Sequence, residues 1–448
     1  MFNTNDSYKI AEWIKEQLQN SFDIEFRDLQ YNGMLIHFMY ITSVCDIKII
    51  QKNIILPFFE MKNLAEYRNY LISYPNSLES KEPPLVLNRI LHGSVAVFLE
   101  NNILMFDAKD FLESPIAESM IETVIQGPKD AFREKLDTNM NLIRQRYHRK
   151  TLKIESQVLG MGKIPAALLY DQSLADYKIL EQLKNRLEKL KEEYDKSIPQ
   201  LHKFLMREDS PVFPTILLTD RPDRVINAIY EGKIILVVEG FPFAMVLPSV
   251  FFDFISSMED VYQVPVVGRF LTILRYFAIF ITISLPGLYV GITSYNPELF
   301  RFQLAISISG NRVTVPYPSF VEIIMMLVMT ELLNEASSRL PKVVGPAATT
   351  VGGLIIGQAA AEAGIISNIM VIIVSAVAIS NFILPVLSMN FAIRLMKYPI
   401  LILSIFFGLN GVVVGIIALI FYLSGMRSFG KPYLQLFSKK VYKPISNK

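Results

Sequence analysis

Acidic residues nearly vanish from this chain after Asp260, and no other feature restricts its fold so strongly. Residues 261–448 hold five acids (Glu298, Glu322, Glu331, Glu335 and Glu362) against fourteen Lys and Arg. Between those sparse charges lie apolar runs of about 20 residues, the length a helix needs to cross a bilayer. The first 260 residues are the reverse, with 37 acids and 30 bases. Averaged over the chain, 51% hydrophobic and 19% charged residues fit neither an ordinary soluble protein nor one that is membrane throughout. The expected fold class is α+β. It comprises an N-terminal α/β region in two parts (1–150 and 151–260), an all-α transmembrane region of four to five segments (261–424), and a basic tail (425–448).

In the N-terminal half, alternating and β-branched runs predict strands at 33–41, 151–158, 166–170 and 233–238. A hairpin is expected where 93–99 and 103–106 flank the polar turn Glu100-Asn-Asn. Helical spacing appears at 117–124, and Pro128 suits a first helical turn. Leu180, Leu183, Leu187 and Leu190 predict an amphipathic helix over 177–194 that packs on its own sheet. The lone Cys45 forms no internal disulfide and reads as a small buried residue. Residues 1–20 have no apolar stretch of signal-peptide type, so the N-terminal half is expected to stay in the cytoplasm. The four histidines are scattered, and no phosphate loop, dinucleotide fingerprint or nucleophile elbow is present. We therefore expect no enzyme, no metal and no cofactor.

Five stretches of the C-terminal half are apolar enough to be membrane segments: 270–292, 315–336, 347–366, 369–389 and 399–424, the last free of charge throughout. The excess of bases at Arg339/Lys342, at Arg394/Lys397 and in the tail is expected on the cytoplasmic side. If both ends lie there, the number of crossings is even, and 347–366 is then the stretch expected to be re-entrant or merely buried.

Ionised carboxylates in hydrocarbon face a bundle interior, a cavity or a partner charge. Glu331 and Glu335 are one helical turn apart, with Val328 on the same face. In a symmetric oligomer they would form acidic rings that favour cations. The alternative is that both pair with Arg339 and Lys342 at a helix end. Glu322, nine residues before Glu331, points elsewhere. Gly353 with Gly357, and Gly411 with Gly415, have the spacing that lets membrane helices approach closely. Gln358, Glu362 and Asn410 are polar groups expected to bond across helices. The run 142–153 carries Arg144, Arg146, Arg149, Lys150 and Lys153. It reads as a solvated helix end with membrane lipid as a second reading, and nucleic acid is not expected.

Several motifs together resemble the A subunit of GerA-family spore germinant receptors. They are 127–146 (GPKDAFREKLDTNMNLIRQR), 219–224 (TDRPDR) with Glu231-Gly, and 315–318 (VPYP) with Val321-Glu. They continue with 340–347 (LPKVVGPA), 353–364 (GLIIGQAAAEAG) and 427–434 (RSFGKPYL), so the resemblance covers residues 85–436 in order. It implies a multi-pass protein of the spore inner membrane that works with a transporter-like, germinant-binding B subunit and a lipoprotein C subunit. It further implies a homo-oligomeric ring, a pentamer, acting as a ligand-gated cation channel whose pore helix is 316–338, led in by Pro316 and Pro318. Glu322, Glu331 and the glycine-rich pattern at 357–364 match family positions. Two alternatives keep the fold: a non-conducting scaffold that docks a permease, and a sporulation protein of the stage V AF type involved in spore-core solute release, although the patterns at 357–364 and 427–434 resemble the receptor branch.

Overall fold

The computed structural model describes residues 6–18, 21–99, 102–109, 127–160, 162–193, 201, 205–206, 212–299, 301–340 and 345–435. They form two units, one built from 1–209 and 216–249, the other from 210–215 and 250–436.

The first unit contains two five-stranded sheets. In chain order its main elements are helix α1 (Asp6–Gln17), strands β1 (Ile24–Tyr31), β2 (Met34–Ile41) and β3 (Leu78–Glu79), helix α2 (Pro83–Leu91), and strands β4 (Ser94–Phe98) and β5 (Ile103–Asp107), with short helical segments over 47–60 and 64–72 between β2 and β3. Helix α3 (Leu136–Arg144) follows, then β6 (Leu152–Leu159), β7 (Ile164–Asp171), α4 (Tyr177–Glu193), β8 (Leu217–Thr219), α5 (Pro222–Tyr230), β9 (Ile234–Val238) and β10 (Ala244–Leu247). The strand orders are β1-β2-β4-β5-β3 and β6-β7-β9-β10-β8. Every pairing is antiparallel. Asn32 and Gly33, both at positive φ (48° and 79°), make the two-residue turn that suits the twist of a hairpin. Helix α2 starts on Pro83 and Pro84, whose missing N–H groups cost nothing in a first turn. Its Val86, Leu87, Ile90 and Leu91 join Ile36, Phe38, Val97 and Leu104 in the first core. On the second sheet, Leu180, Leu183 and Leu187 of α4 are buried.

Two expectations change here. The expected helix at 117–124 lies outside the described residues. Residues 127–135 form a strap rather than a helix, and α3 begins only at Leu136. The reason is that the strap's backbone is already bonded elsewhere in the unit: Phe132 N–H donates to the Asp220 carbonyl, and the Glu134 carbonyl accepts from Gly240 N–H. Asn139 then closes the loop through both backbone groups of Arg133.

The second unit is mainly helical: after two short helices (Phe251–Ile255 and Met258–Tyr262) come α6 (Pro265–Tyr295), α7 (Phe302–Arg312), α8 (Ser319–Ser338), α9 (Gly345–Glu362), α10 (Asn368–Phe382) and α11 (Leu387–Gly425), and a two-stranded ribbon at 427–432 follows. Two of these, α6 and α11, are long and apolar enough to cross a membrane. The expected single span over 399–424 is corrected, because α11 folds back on itself at Gly408 (φ 59°, ψ −140°). A methyl group at Gly411 would lie 2.1 Å from the Leu403 carbonyl oxygen, and one at Gly415 would lie 3.0 Å from the Ile400 side chain. In a straight helix, residues 400 and 415 would be about 22 Å apart. The two legs, 387–407 and 409–425, thus form a hairpin without a polar loop. Only glycine takes the backbone of position 408 cheaply, and any side chain there would also meet the Tyr295 ring, 2.9 Å from a first carbon. The end of α6 holds the turn in place: Tyr295 Oη donates to the Ile405 carbonyl, and Ser404 Oγ donates to the Gly287 carbonyl at 2.6 Å.

The remaining helices alternate in direction. Ser319 at the start of α8 bonds Ser294 at the end of α6 (2.6 Å). A methyl group at Gly352 would lie 3.3 Å from Leu333, so α9 returns along α8. One at Gly357 would lie 3.4 Å from Val371, so α10 reverses again.

Candidate functional site

Helix α8 is built to start abruptly. Pro316 and Pro318 fix extended backbone ahead of it, and Pro318 is its N-cap residue in β conformation. The helix then runs through an apolar sequence that carries Glu322, Glu331 and Glu335.

The three carboxylates have different surroundings. Glu322 is fully buried; its Oε2 accepts from the backbone N–H of Ser367 at 3.1 Å, and its Oε1 lies 3.4 Å from Nε of Arg312. Glu331 is bound by two cations of the first leg of α11: Arg394 in close contact, and Lys397 at 2.8 Å with a side chain only 1% exposed. Glu335 is exposed and pairs with Arg339 at 2.8 Å, one turn on. The common acidic face expected for Glu331 and Glu335 is therefore divided. Glu331 turns inward to α11, and the open face of α8 carries Ile324, Val328, Leu332 and Glu335. Lys342, the other expected partner, lies outside the described residues.

Arg394 and Lys397, two of the bases expected on the cytoplasmic side, lie within α11 and both engage Glu331. Lys397 is eleven residues before the turn at Gly408, about 16 Å along the axis. Buried cations of this kind need an anion, and Glu331 is the one they find. Phe391 and Tyr398 flank them, with ring centres 5.3 and 5.1 Å from the charged groups. Sequence reading placed Glu331 correctly in an apolar run but missed its partners. The available signal was two bases inside another run.

The small residues divide as well. Gly411 and Gly415 sit where the two legs of α11 touch. Gly357 faces α10, and Gly353 has only the Leu333 side chain near the position of a Cβ, at 3.9 Å. Gln358 donates to Glu362 at 3.2 Å, both on an exposed side of α9, and Asn410 is exposed beside the turn.

The basic run of the first unit is largely engaged with neighbouring groups. Arg144 is buried against Asp23 at 2.9 Å, and Arg146 contacts Asp130. Arg149 lies 5.1 Å from the centre of the Tyr230 ring, Lys150 donates to Gln17 and Lys153 is buried. Among the described residues, no group of three His, Cys, Asp or Glu could hold a metal ion.

A profile of the family described as Bacillus/Clostridium GerA spore germination protein matches residues 12–446. The chain is 31% identical over 437 residues to spore germination protein KA of Bacillus subtilis strain 168, covering 95% of this chain and 80% of that one. It is 30% identical over 447 residues to a protein of the same strain named uncharacterized membrane protein YfkQ, covering 96% and 87%. Among solved structures it resembles the crystallised N-terminal domain of the A subunit of the Bacillus megaterium spore germinant receptor GerK3. That match has 24% identity and a TM-score of 0.42, over 54% of this chain and 94% of that one.

Proposed function

The chain belongs to the GerA family of spore germination proteins, and from that premise we propose that it is the membrane-embedded A-type subunit of a germinant receptor, conducting cations rather than catalysing a reaction. Copies assemble as a ring, a pentamer by family likeness, in the spore inner membrane. A transporter-like B subunit that binds the nutrient and a lipoprotein C subunit complete the receptor. The observation that carries the pore assignment is the open face of α8. Val328, Leu332 and Glu335 are exposed at successive turns, although the opposite side of the same helix packs tightly through Ile323, Met326 and Leu327. In a ring, that face lines the lumen, with Val328 and Leu332 as an apolar constriction and Glu335 as the acidic ring at one mouth.

The crossings in this reading are six: α6, α8, α9, α10 and both legs of α11. The count is even, so both ends of the helical unit lie on one side, the cytoplasmic one by the excess of bases in the tail, and α9 becomes a full passage. The second reading, a non-conducting scaffold, is favoured by Glu322 and Glu331 being bound within the protomer.

Charge reversal at the mouth separates the two readings. Glu335→Lys in the reconstituted protein is expected to lower the potassium-to-chloride permeability ratio about tenfold, equivalent to roughly 1.4 kcal/mol in ion partition. An unchanged ratio in a conducting ring would remove α8 from the pathway.

A further inference from the structure

Among the described residues of the helical unit, Glu322 is the one fully buried carboxylate. It stands at the junction of three helices. It belongs to the first turn of α8, it accepts from the N-cap residue of α10 through Ser367 N–H, and it faces Arg312, the last residue of α7. The positive ends of α8 and α10 both converge on its charge. Tyr289 of α6 is buried in the same cluster, with Ile323, Ile366 and Met370.

Apolar packing at the start of α8 comes from Phe320 and Ile323, and among the described residues its polar anchors are few. In the connection from α7, Val313, Thr314, Pro316, Tyr317 and Pro318 are all exposed. Besides Glu322, the hydrogen-bonded anchor at this point is Ser319 with Ser294. The Glu322 to Arg312 contact is a charge attraction without hydrogen-bond geometry, since both Oε1 and Nε lack a hydrogen-bond partner. It therefore depends on the carboxylate being ionised.

We propose that Glu322 is a positioning residue: a latch whose charge fixes the entry of α8 against α7 and α10, and whose neutralisation releases that entry. The consequence for conduction rests on the pore reading above, in which a released α8 leaks cations without germinant. The latch itself can be measured independently of any current.

Cys45 is the single cysteine, so a Cys45→Ala background makes an introduced thiol the sole target. Ser319→Cys puts a near-isosteric reporter at a buried position in the first turn of α8. In reconstituted full-length protein, a water-soluble thiol reagent should label it slowly. Glu322→Gln, and separately Arg312→Gln, should each speed labelling roughly tenfold, as loss of one partner of a buried pair loosens its site. The double variant should be no faster than the single ones, because the two groups act as one unit. Should Glu322→Gln fail to assemble, the partly exposed Arg312 supplies the same readout. Unchanged labelling in either single variant, or effects that multiply in the double, would overturn the latch. Faster labelling from protein that carries no potassium flux would keep the latch and discard the channel reading. Flux indifferent to both substitutions, with slow labelling throughout, would do the opposite.

Discussion

Asp23 and Arg144 form the most demanding residue pair of the α/β unit, with side chains 1% and 2% exposed. Burial alone would raise the Asp23 pKa. Arg144, Ser21 and Ser43 outweigh it and hold the carboxyl below its usual range. A depressed folded-state pKa means that this pair's stability is complete above about pH 4, the unfolded value, and is lost as pH falls towards the folded one. Asp23→Asn, which leaves Arg144 buried and unpaired, should cost about 3–5 kcal/mol at pH 7. It should also flatten the loss of stability on acidification below pH 4. Trp13, the single tryptophan, packs on the core of this unit and reports its unfolding by fluorescence. Equal acid sensitivity in the variant and the parent would assign the pH dependence to other groups. None of this was legible in the sequence, where Arg144 looked like one member of a solvated basic run. The partner lies 121 positions away, and a linear pattern carries no sign of it.

At the scale of elements, regular periodicity was easy to read and reversals were not. The hairpin β4–β5, the strands β2, β6, β7 and β9, and the amphipathic α4 all follow from alternation or from 3-4 spacing. The fold-back of α11 does not, because an apolar run with one glycine at its pivot has no polar loop to mark a turn. Composition alone therefore read 399–424 as one passage. The same run explains what the glycines do: they let the two legs touch, where a backbone oxygen leaves no room for a Cβ at Gly411. Gly411→Val is expected to separate the legs and to destabilise the helical unit by about 3 kcal/mol, the upper end of the usual overpacking range, because a backbone oxygen cannot yield. Thermal denaturation of the detergent-solubilised protein should show the loss, whereas Gly353→Val, with only a side chain 3.9 Å away, should be close to neutral. Equal stability of the Gly411 variant would mean that the hairpin opens without cost. The glutamates of α8 teach a related lesson. Their spacing fixes which turn each occupies, but only the surrounding helices decide that Glu322 and Glu331 are held by other helices while Glu335 stays on the exposed face, paired with Arg339 of its own helix.

For the whole molecule, the fall in acids after position 260 separates a charged α/β unit from an apolar helical one. The structure's division lies about ten residues earlier, at Val250. Family membership supplies the biological setting of germination, and the proposed cation path rests on the exposed face of α8. The most direct test is potassium efflux from liposomes containing the purified protein, as wild type and as Val328→Ala, with ring assembly verified by crosslinking in the same preparations. A conducting ring should show a small cation flux that rises roughly tenfold when the apolar constriction is trimmed, a barrier change of about 1.4 kcal/mol. No flux from either protein, in rings that remain intact, would contradict it and leave this chain as the scaffold on which another subunit acts.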